Sequence, residues 1–135
     1  MAWRTCVEKN IAKRVSVDEQ LIKSLLESSA NKRKSAQLLK LSTVTASSRV
    51  TLSYDAIREV IEALALKEGY KIYNHECYTS FLDSVLRKEE LSAQFDRLRK
   101  IRNSINYYGK QLSVADAEEL EEEIDPLLDQ LKEML

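Results

Sequence analysis

Apolar side chains recur three and four positions apart over most of the chain, which indicates helices rather than strands. The clearest helix is predicted from Ser53 to Glu68 and is ended by Gly69. Its apolar positions are Tyr54, Ile57, Val60, Ile61 and Leu64. Only two Gly and one Pro occur among 135 residues, so few residues suit hairpin turns. We therefore predict an all-α fold.

The same pattern predicts two shorter helices before this one. Ser16 to Glu19 has the form of a capping box, in which the Ser side chain accepts a hydrogen bond from the Glu amide. The stretch from Ser28 to Asn31 is expected to break the first helix, and a second helix is expected to begin at Lys32. The hydroxyl-rich stretch from Ser42 to Thr51 is predicted to be a loop, because such side chains compete with helix hydrogen bonds.

Three more helices are predicted in the rest of the chain. Asn74 can cap a helix that begins at His75 and ends near Leu86. Gly109 is suited to the left-handed C-cap of the next helix. Ser113 begins a capping box for the last helix, in which an internal proline, Pro126, is expected to produce a kink or a division.

The length of the chain suits a single hydrophobic core. We expect residues 1–16 to form an N-terminal arm and residues 17–135 to form one bundle of five to six helices. The formal net charge is -1, but residues 1–49 hold ten Lys and Arg against four Asp and Glu, and residues 113–135 hold one against nine. Whole-chain charge therefore gives no general attraction to nucleic acid, and the two ends can neutralise each other.

Cys6 and Cys77 are too few for a disulfide framework and lack the spacing of a metal site, so we expect two reduced thiols in a cytoplasmic protein. No apolar run has the length of a signal-peptide core or a membrane span, and no membrane partner is expected. One His and two Gly are too few for most metal centres or for a glycine-rich phosphate loop. We therefore expect no metal and no cofactor.

The segment from Phe95 to Gly109 contains the most unusual residue. On a helix, Arg102 projects close to Phe95 and Leu98, on the side that the helix buries. Asn106 lies one turn further on. A charge in that position needs a partner or a ligand.

Three stretches resemble the HEPN domain, a helical family of prokaryotic toxins, antiphage systems and RNA-processing enzymes. They are YDAIREVIEALALKEGYK from Tyr54, NHECYTSFL from Asn74 and RNSINYYG from Arg102. The third is similar to the R-x(4–6)-H signature of that family but has Tyr107 and Tyr108 where the His would stand. The resemblance implies a HEPN-type bundle that dimerises through the motif helix, with two copies of Arg102 meeting in a cleft.

In active members the resemblance implies a metal-independent endoribonuclease, in which Arg stabilises the phosphorane and His handles the 2′-hydroxyl proton. Arg102 matches the Arg, and Asn103 matches a polar residue common after it. A tyrosine with a pKa of about 10 is a poor base at neutral pH. His75, the only histidine, is a possible substitute that the sequence does not bring near Arg102. On a regular helix Tyr107 also points about 140° away from Arg102.

Three functions are compatible with these residues. The first is an RNA- or nucleotide-binding homodimer, regulatory or part of a toxin–antitoxin pair. The second is an active ribonuclease toxin, which the resemblance pairs with a minimal nucleotidyltransferase that modifies Tyr107 or Tyr108. The third is a purely structural bundle in which Arg102 pairs with Asp96, Asp83 or the acidic last helix. The candidate catalytic residues are Arg102, Asn103, Tyr107 and His75, and the candidate binding residues are Arg99, Lys100, Asn106 and Tyr108.

Overall fold

The structure, a computed structural model, describes residues 1–135 and consists of six helices and a pair of short strands. In chain order they are α1 (Trp3–Glu8), β1 (Ala12–Arg14), α2 (Glu19–Leu38), α3 (Ala46–Lys67), β2 (Tyr70–Ile72), α4 (His75–Ser84), α5 (Glu89–Tyr108) and α6 (Val114–Lys132). The prediction of an all-α bundle is confirmed. No helix combines the length and apolar character that crossing a membrane requires.

The central element is α3, which contacts α2, α4, α5 and α6. Its apolar residues at helical spacing, which predicted this helix, all lie in the core, where Tyr54 and Ile57 are almost completely buried. Phe81 of α4 and Phe95 of α5 pack in the same cluster. The core therefore surrounds α3, and the other long helices are arranged around it. They contribute further fully buried side chains, Leu82, Leu98, Ile124, Leu127 and Leu131.

The first 16 residues, which we expected to form an arm, pack onto this core. β1 pairs with β2 in an antiparallel register that places Ala12 opposite Ile72. A disulfide joins Cys6 of α1 to Cys77 of α4, and both cysteines are fully buried. The expectation of two reduced thiols is therefore wrong. The two cysteines are 71 positions apart, so their spacing gave no signal of the 6.1 Å that separates their Cα atoms.

α2 is one continuous helix, so the predicted break at residues 28–31 is wrong. Ser29 is 1% exposed, and its hydroxyl donates to the carbonyl of Ala56 on α3 over 2.6 Å. This tertiary hydrogen bond satisfies a side chain that would otherwise compete with the backbone of its own helix. Packing against α3 therefore overrides the weak helix propensity of the segment.

The predicted loop from Ser42 to Thr51 is also wrong in its second half, because α3 already begins at Ala46. Ser47 accepts a hydrogen bond from the backbone amide of Leu112, and Ser53 accepts one from Arg33. These hydroxyls bond to other elements of the fold, so they do not interrupt the helix.

Most of the predicted helix ends are confirmed. The side chain of Asn74 accepts from the amide of Glu76, the hydroxyl of Ser113 accepts from the amide of Asp116, and Gly109 is left-handed with φ 63°. At the start of α2 the cap is Asp18, which accepts from Leu21, instead of Ser16. α6 is not divided by Pro126.

A buried cation connects three helices. Arg33 of α2 donates to Glu121 and Asp125 of α6 over 2.7 and 2.9 Å, and to Ser53 of α3 over 3.0 Å. Arg49 donates to the other oxygen of Glu121. Two cations of the basic N-terminal half, Arg33 and Arg49, therefore neutralise two carboxylates of the acidic last helix, Glu121 and Asp125. The hydrogen bond from Arg33 holds the pKa of Asp125 below its usual value.

We predict that Arg33→Met lowers the free energy of unfolding by about 3 kcal/mol, because it leaves the Glu121 carboxylate in a mostly buried position without this partner. Urea denaturation followed by circular dichroism measures the change. Lys34→Met is the matched control, since Lys34 is the exposed neighbour on the same helix. Equal denaturation midpoints for the two variants would contradict the structural role of Arg33.

A second prediction concerns the disulfide. The oxidised protein, unfolded in guanidinium without reductant, should contain no thiol that reacts with Ellman's reagent, and two after reduction. Reduction should lower the free energy of unfolding by about 4 kcal/mol, because the bond closes a long loop in the unfolded chain. Two reactive thiols before reduction would show that Cys6 and Cys77 are not joined.

Candidate functional site

A polar pocket of about 370 Å³ lies where the start of α4 meets the last turns of α5. We call it the Arg102 pocket. It is lined by Tyr73, Asn74, His75, Glu76, Arg99, Arg102, Asn103 and Tyr107. The pocket therefore joins two of the stretches on which the family resemblance depends, although 27 positions separate His75 from Arg102.

Local sequence explains why the two helices meet here. The Asn74 cap begins α4, which puts His75 in its first turn. Along the two helices, the hydroxyl of Ser92 donates to the carbonyl of Thr79 over 2.8 Å, and Thr79 donates to Asp96 over 3.2 Å. These bonds fix α5 against α4.

Arg102 lies over an aromatic ring and has no carboxylate partner. Its guanidinium carbon is 5.4 Å from the ring centroid of Tyr54, which is itself 1% exposed and stacked on Phe95. The Nε atom of Arg102 is buried and makes no hydrogen bond. A cation–π contact holds the group in place but leaves its N–H donors available. The guanidinium is thus positioned without being neutralised.

The pairings that would give Arg102 a purely structural role do not form. Asp96 instead binds Arg99 over 2.8 Å and Lys100 over 3.1 Å. Burial tends to raise the pKa of Asp96, but the hydrogen bonds from these two cations outweigh it and lower the pKa. Glu76, the carboxylate that lines the pocket, pairs with the amino group of Met1. Asp96 and Glu76 are therefore both paired with cations other than Arg102.

His75 shares a support with Arg102. Its Nδ1 atom lies 2.9 Å from the hydroxyl of Tyr54, the residue whose ring lies under the guanidinium. Burial, followed by the positive charges of Arg58 and Arg102, lowers the pKa of His75 to about 4. Burial raises the pKa of the Tyr54 phenol, which stays protonated at neutral pH. At neutral pH the pocket thus contains an uncharged imidazole beside a permanent cation.

An unpaired guanidinium and a neutral imidazole in one pocket suit a ligand that carries both an anionic group and an exchangeable proton. The free N–H donors of Arg102 can bind phosphate or carboxylate oxygens. An anion in the pocket would offset the positive charges that depress the pKa of His75, and so would make the imidazole a stronger base. No group of three or more His, Cys, Asp and Glu side chains could hold a metal ion.

The predicted site residues divide into two groups. Arg99, Arg102, Asn103, Tyr107 and His75 line one pocket. The remaining three, Lys100, Asn106 and Tyr108, do not line it.

Each of these three lies elsewhere on the surface of α5. Lys100 is exposed and paired with Asp96, and Tyr108 is 84% exposed at the end of the helix. Asn106 lines a different surface depression beside Val44 and Ser47.

Sequence analysis missed two tyrosines that belong to this site. The helical spacing of Tyr54 marks it only as a core residue. It gives no sign that the hydroxyl of Tyr54 contacts His75 or that its ring lies under Arg102. Tyr73 lies in the short connector before Asn74. Its 63% exposure, which makes it available to a ligand, is visible only in the structure.

Comparison with models of known protein families finds no match, and comparison with curated proteins finds none either. The site must therefore be interpreted from its own geometry.

The single histidine makes one electrostatic prediction easy to measure. Followed by proton NMR, the pKa of His75 should be about 4, and it should rise in Arg102→Ala because that change removes a nearby positive charge. Arg97→Ala is the control, since Arg97 lies on the same helix and pairs with Glu123. A wild-type pKa near the ordinary value of about 6.5 would contradict the described burial.

Proposed function

We propose that this protein is a HEPN-like RNA-binding domain whose Arg102 pocket holds a phosphate of a single-stranded RNA or a nucleotide. The observation that carries the proposal is the unpaired guanidinium of Arg102, held over Tyr54 with a buried Nε that has no partner. The Nη groups of Arg102 are not buried and make no hydrogen bond, so they are free to donate to a phosphate oxygen that enters the pocket.

The surroundings of Arg102 support an RNA ligand over a simple anion. Tyr107 lines the same pocket and is 71% exposed, so a base can stack on its ring. Asn103 adds an amide that can donate and accept hydrogen bonds. Pairing of Arg99 with Asp96 leaves Arg102 as the principal free cation of the pocket.

The proposal includes a two-fold homodimer through α5. Tyr107 and Tyr108 are consecutive exposed residues at the end of this helix, and large exposed aromatic side chains are typical of interfaces. A two-fold axis near this end would bring two Arg102 pockets into one cationic cleft.

One observation favours a second candidate, a metal-independent endoribonuclease. His75 lines the same pocket as Arg102, so an imidazole is available to accept a proton despite the missing motif histidine. In this mechanism neutral His75 accepts the 2′-hydroxyl proton, and the 2′-oxygen forms a bond to phosphorus. The bond from phosphorus to the 5′-oxygen breaks, and protonated His75 returns the proton to that oxygen. Arg102 binds the negative charge of the phosphorane.

Either function is compatible with a toxin–antitoxin pair. The exposed phenols of Tyr107 and Tyr108 are accessible for modification by a minimal nucleotidyltransferase partner, and a bulky group on Tyr107 would obstruct the pocket that it lines.

The test uses a pool of fluorescent single-stranded RNAs in EDTA, with gel shift and cleavage measured on the same samples. Wild-type protein should shift the RNA, and Arg102→Ala should weaken binding about tenfold or more, because a charge-assisted phosphate contact is lost. Arg97→Ala should bind like wild type. Unchanged affinity in Arg102→Ala would overturn the proposal.

Cleavage separates the two candidates. If wild type leaves 2′,3′-cyclic phosphate and 5′-hydroxyl ends, and both Arg102→Ala and His75→Ala abolish this, the protein is a ribonuclease. If the RNA shifts without being cut, the pocket binds only. Light scattering on the same preparations should give the mass of a dimer.

A further inference from the structure

Tyr73 is an exposed aromatic residue that has no role in the phosphate and base contacts proposed for Arg102 and Tyr107. It follows β2, lines the Arg102 pocket and keeps 63% of its surface exposed. Leaving a large aromatic ring in water forgoes the gain from burying it, so the exposure makes Tyr73 a candidate for binding.

The fold holds the backbone of Tyr73 in place. Its amide donates to the carbonyl of Ile11 over 2.9 Å, which continues the pairing of β1 with β2. The ring is therefore presented from a fixed strand end instead of a free loop, and little conformational entropy would be lost when a ligand stacks on it.

A free cation accompanies this ring. The ammonium of Lys13 on β1 is 5.6 Å from the ring centroid of Tyr73. Lys13 makes no ion pair with any carboxylate of the chain, whereas Lys71, its strand partner, binds Glu62. Because Lys13 lies over one face of the ring, a base would stack on the opposite face. An aromatic ring with an unneutralised cation can bind one nucleotide of a single strand, the base by stacking and the phosphate by charge.

We propose that Tyr73 and Lys13 form a second nucleotide subsite at the edge of the Arg102 pocket. The base of the neighbouring nucleotide stacks on Tyr73, and Lys13 neutralises the phosphate on its outer side. This inference rests on the proposed RNA-binding function and adds the N-terminal strand to the binding surface. A single strand then runs from Tyr107 across Arg102 to Tyr73.

The experiment measures binding of a short fluorescent single-stranded RNA by anisotropy at several salt concentrations. Tyr73→Ala should weaken binding about 5- to 100-fold, the range expected when one stacked base loses its platform. Tyr73→Phe should bind within about twofold of wild type, because the ring is kept. Equal weakening by both changes would overturn stacking.

Lys13 is tested by its salt dependence. Lys13→Met should reduce the slope of log affinity against log salt by about 0.7, the value for one phosphate contact on a single strand. Lys23→Met is the matched control, since Lys23 is an exposed lysine on α2 without an ion pair, and its slope should equal that of wild type. An unchanged slope for Lys13→Met would remove Lys13 from the subsite.

An abasic nucleotide moved along the RNA distinguishes stacking from a general effect of the substitution on the fold. One position should weaken binding to wild type but not to Tyr73→Ala, because the base removed there is the one that stacks on Tyr73. If every abasic position weakens both proteins equally, the subsite does not exist.

The outcomes for Arg102 and Tyr73 are separable. Loss of binding in Arg102→Ala with wild-type affinity in Tyr73→Ala overturns this inference and leaves the proposed function intact. Absence of RNA binding by wild type overturns both.

Discussion

Burial of α3 on all sides is the constraint on which the rest of the structure depends. A helix whose apolar residues point in several directions must be covered by several neighbours, and α2, α4, α5 and α6 each cover a part. The polar atoms on α3 must then find partners in those neighbours. The Ala56 carbonyl accepts from Ser29, and the Ser53 hydroxyl accepts from Arg33. The same requirement produces the site, because the phenol of buried Tyr54 reaches His75 at the edge of the core.

Local patterns were sufficient for the elements whose signals are local. The helical spacing of apolar residues identified α3. Capping residues identified the start of α4 at Asn74 and the end of α5 at Gly109. The errors share one physical cause. The continuity of α2 through Ser29 and the early start of α3 depend on hydrogen bonds to distant segments, and such bonds leave no trace in a window of neighbouring residues. The bond between Cys6 and Cys77 is the extreme case.

The candidate site was predictable in proportion to how much of it lies on one helix. Arg102 was recognisable because its position beside Phe95 and Leu98 conflicts with its charge. Its partner in the pocket, His75, was identifiable as a residue but not as a neighbour, since their meeting depends on how α4 packs on α5. Tyr54 was the least predictable contributor because it has two roles. Its ring fills the core like any apolar residue, while its other face lies against the guanidinium of Arg102 and its hydroxyl contacts His75.

The pairing of β1 with β2 has a consequence for the order in which the protein is made. Ala12 leaves the ribosome long before its partner Ile72, and the whole of α2 and α3 is synthesised between them. β1 therefore cannot take its final position until about 60 further residues have been synthesised and β2 is available to pair with it. Until then the strand edge and Cys6 stay exposed on the nascent chain. The strand pair, the disulfide and the backbone hydrogen bond that fixes Tyr73 can therefore all be in place only after residue 77 has been synthesised, so this edge of the Arg102 pocket is assembled from segments made far apart in time.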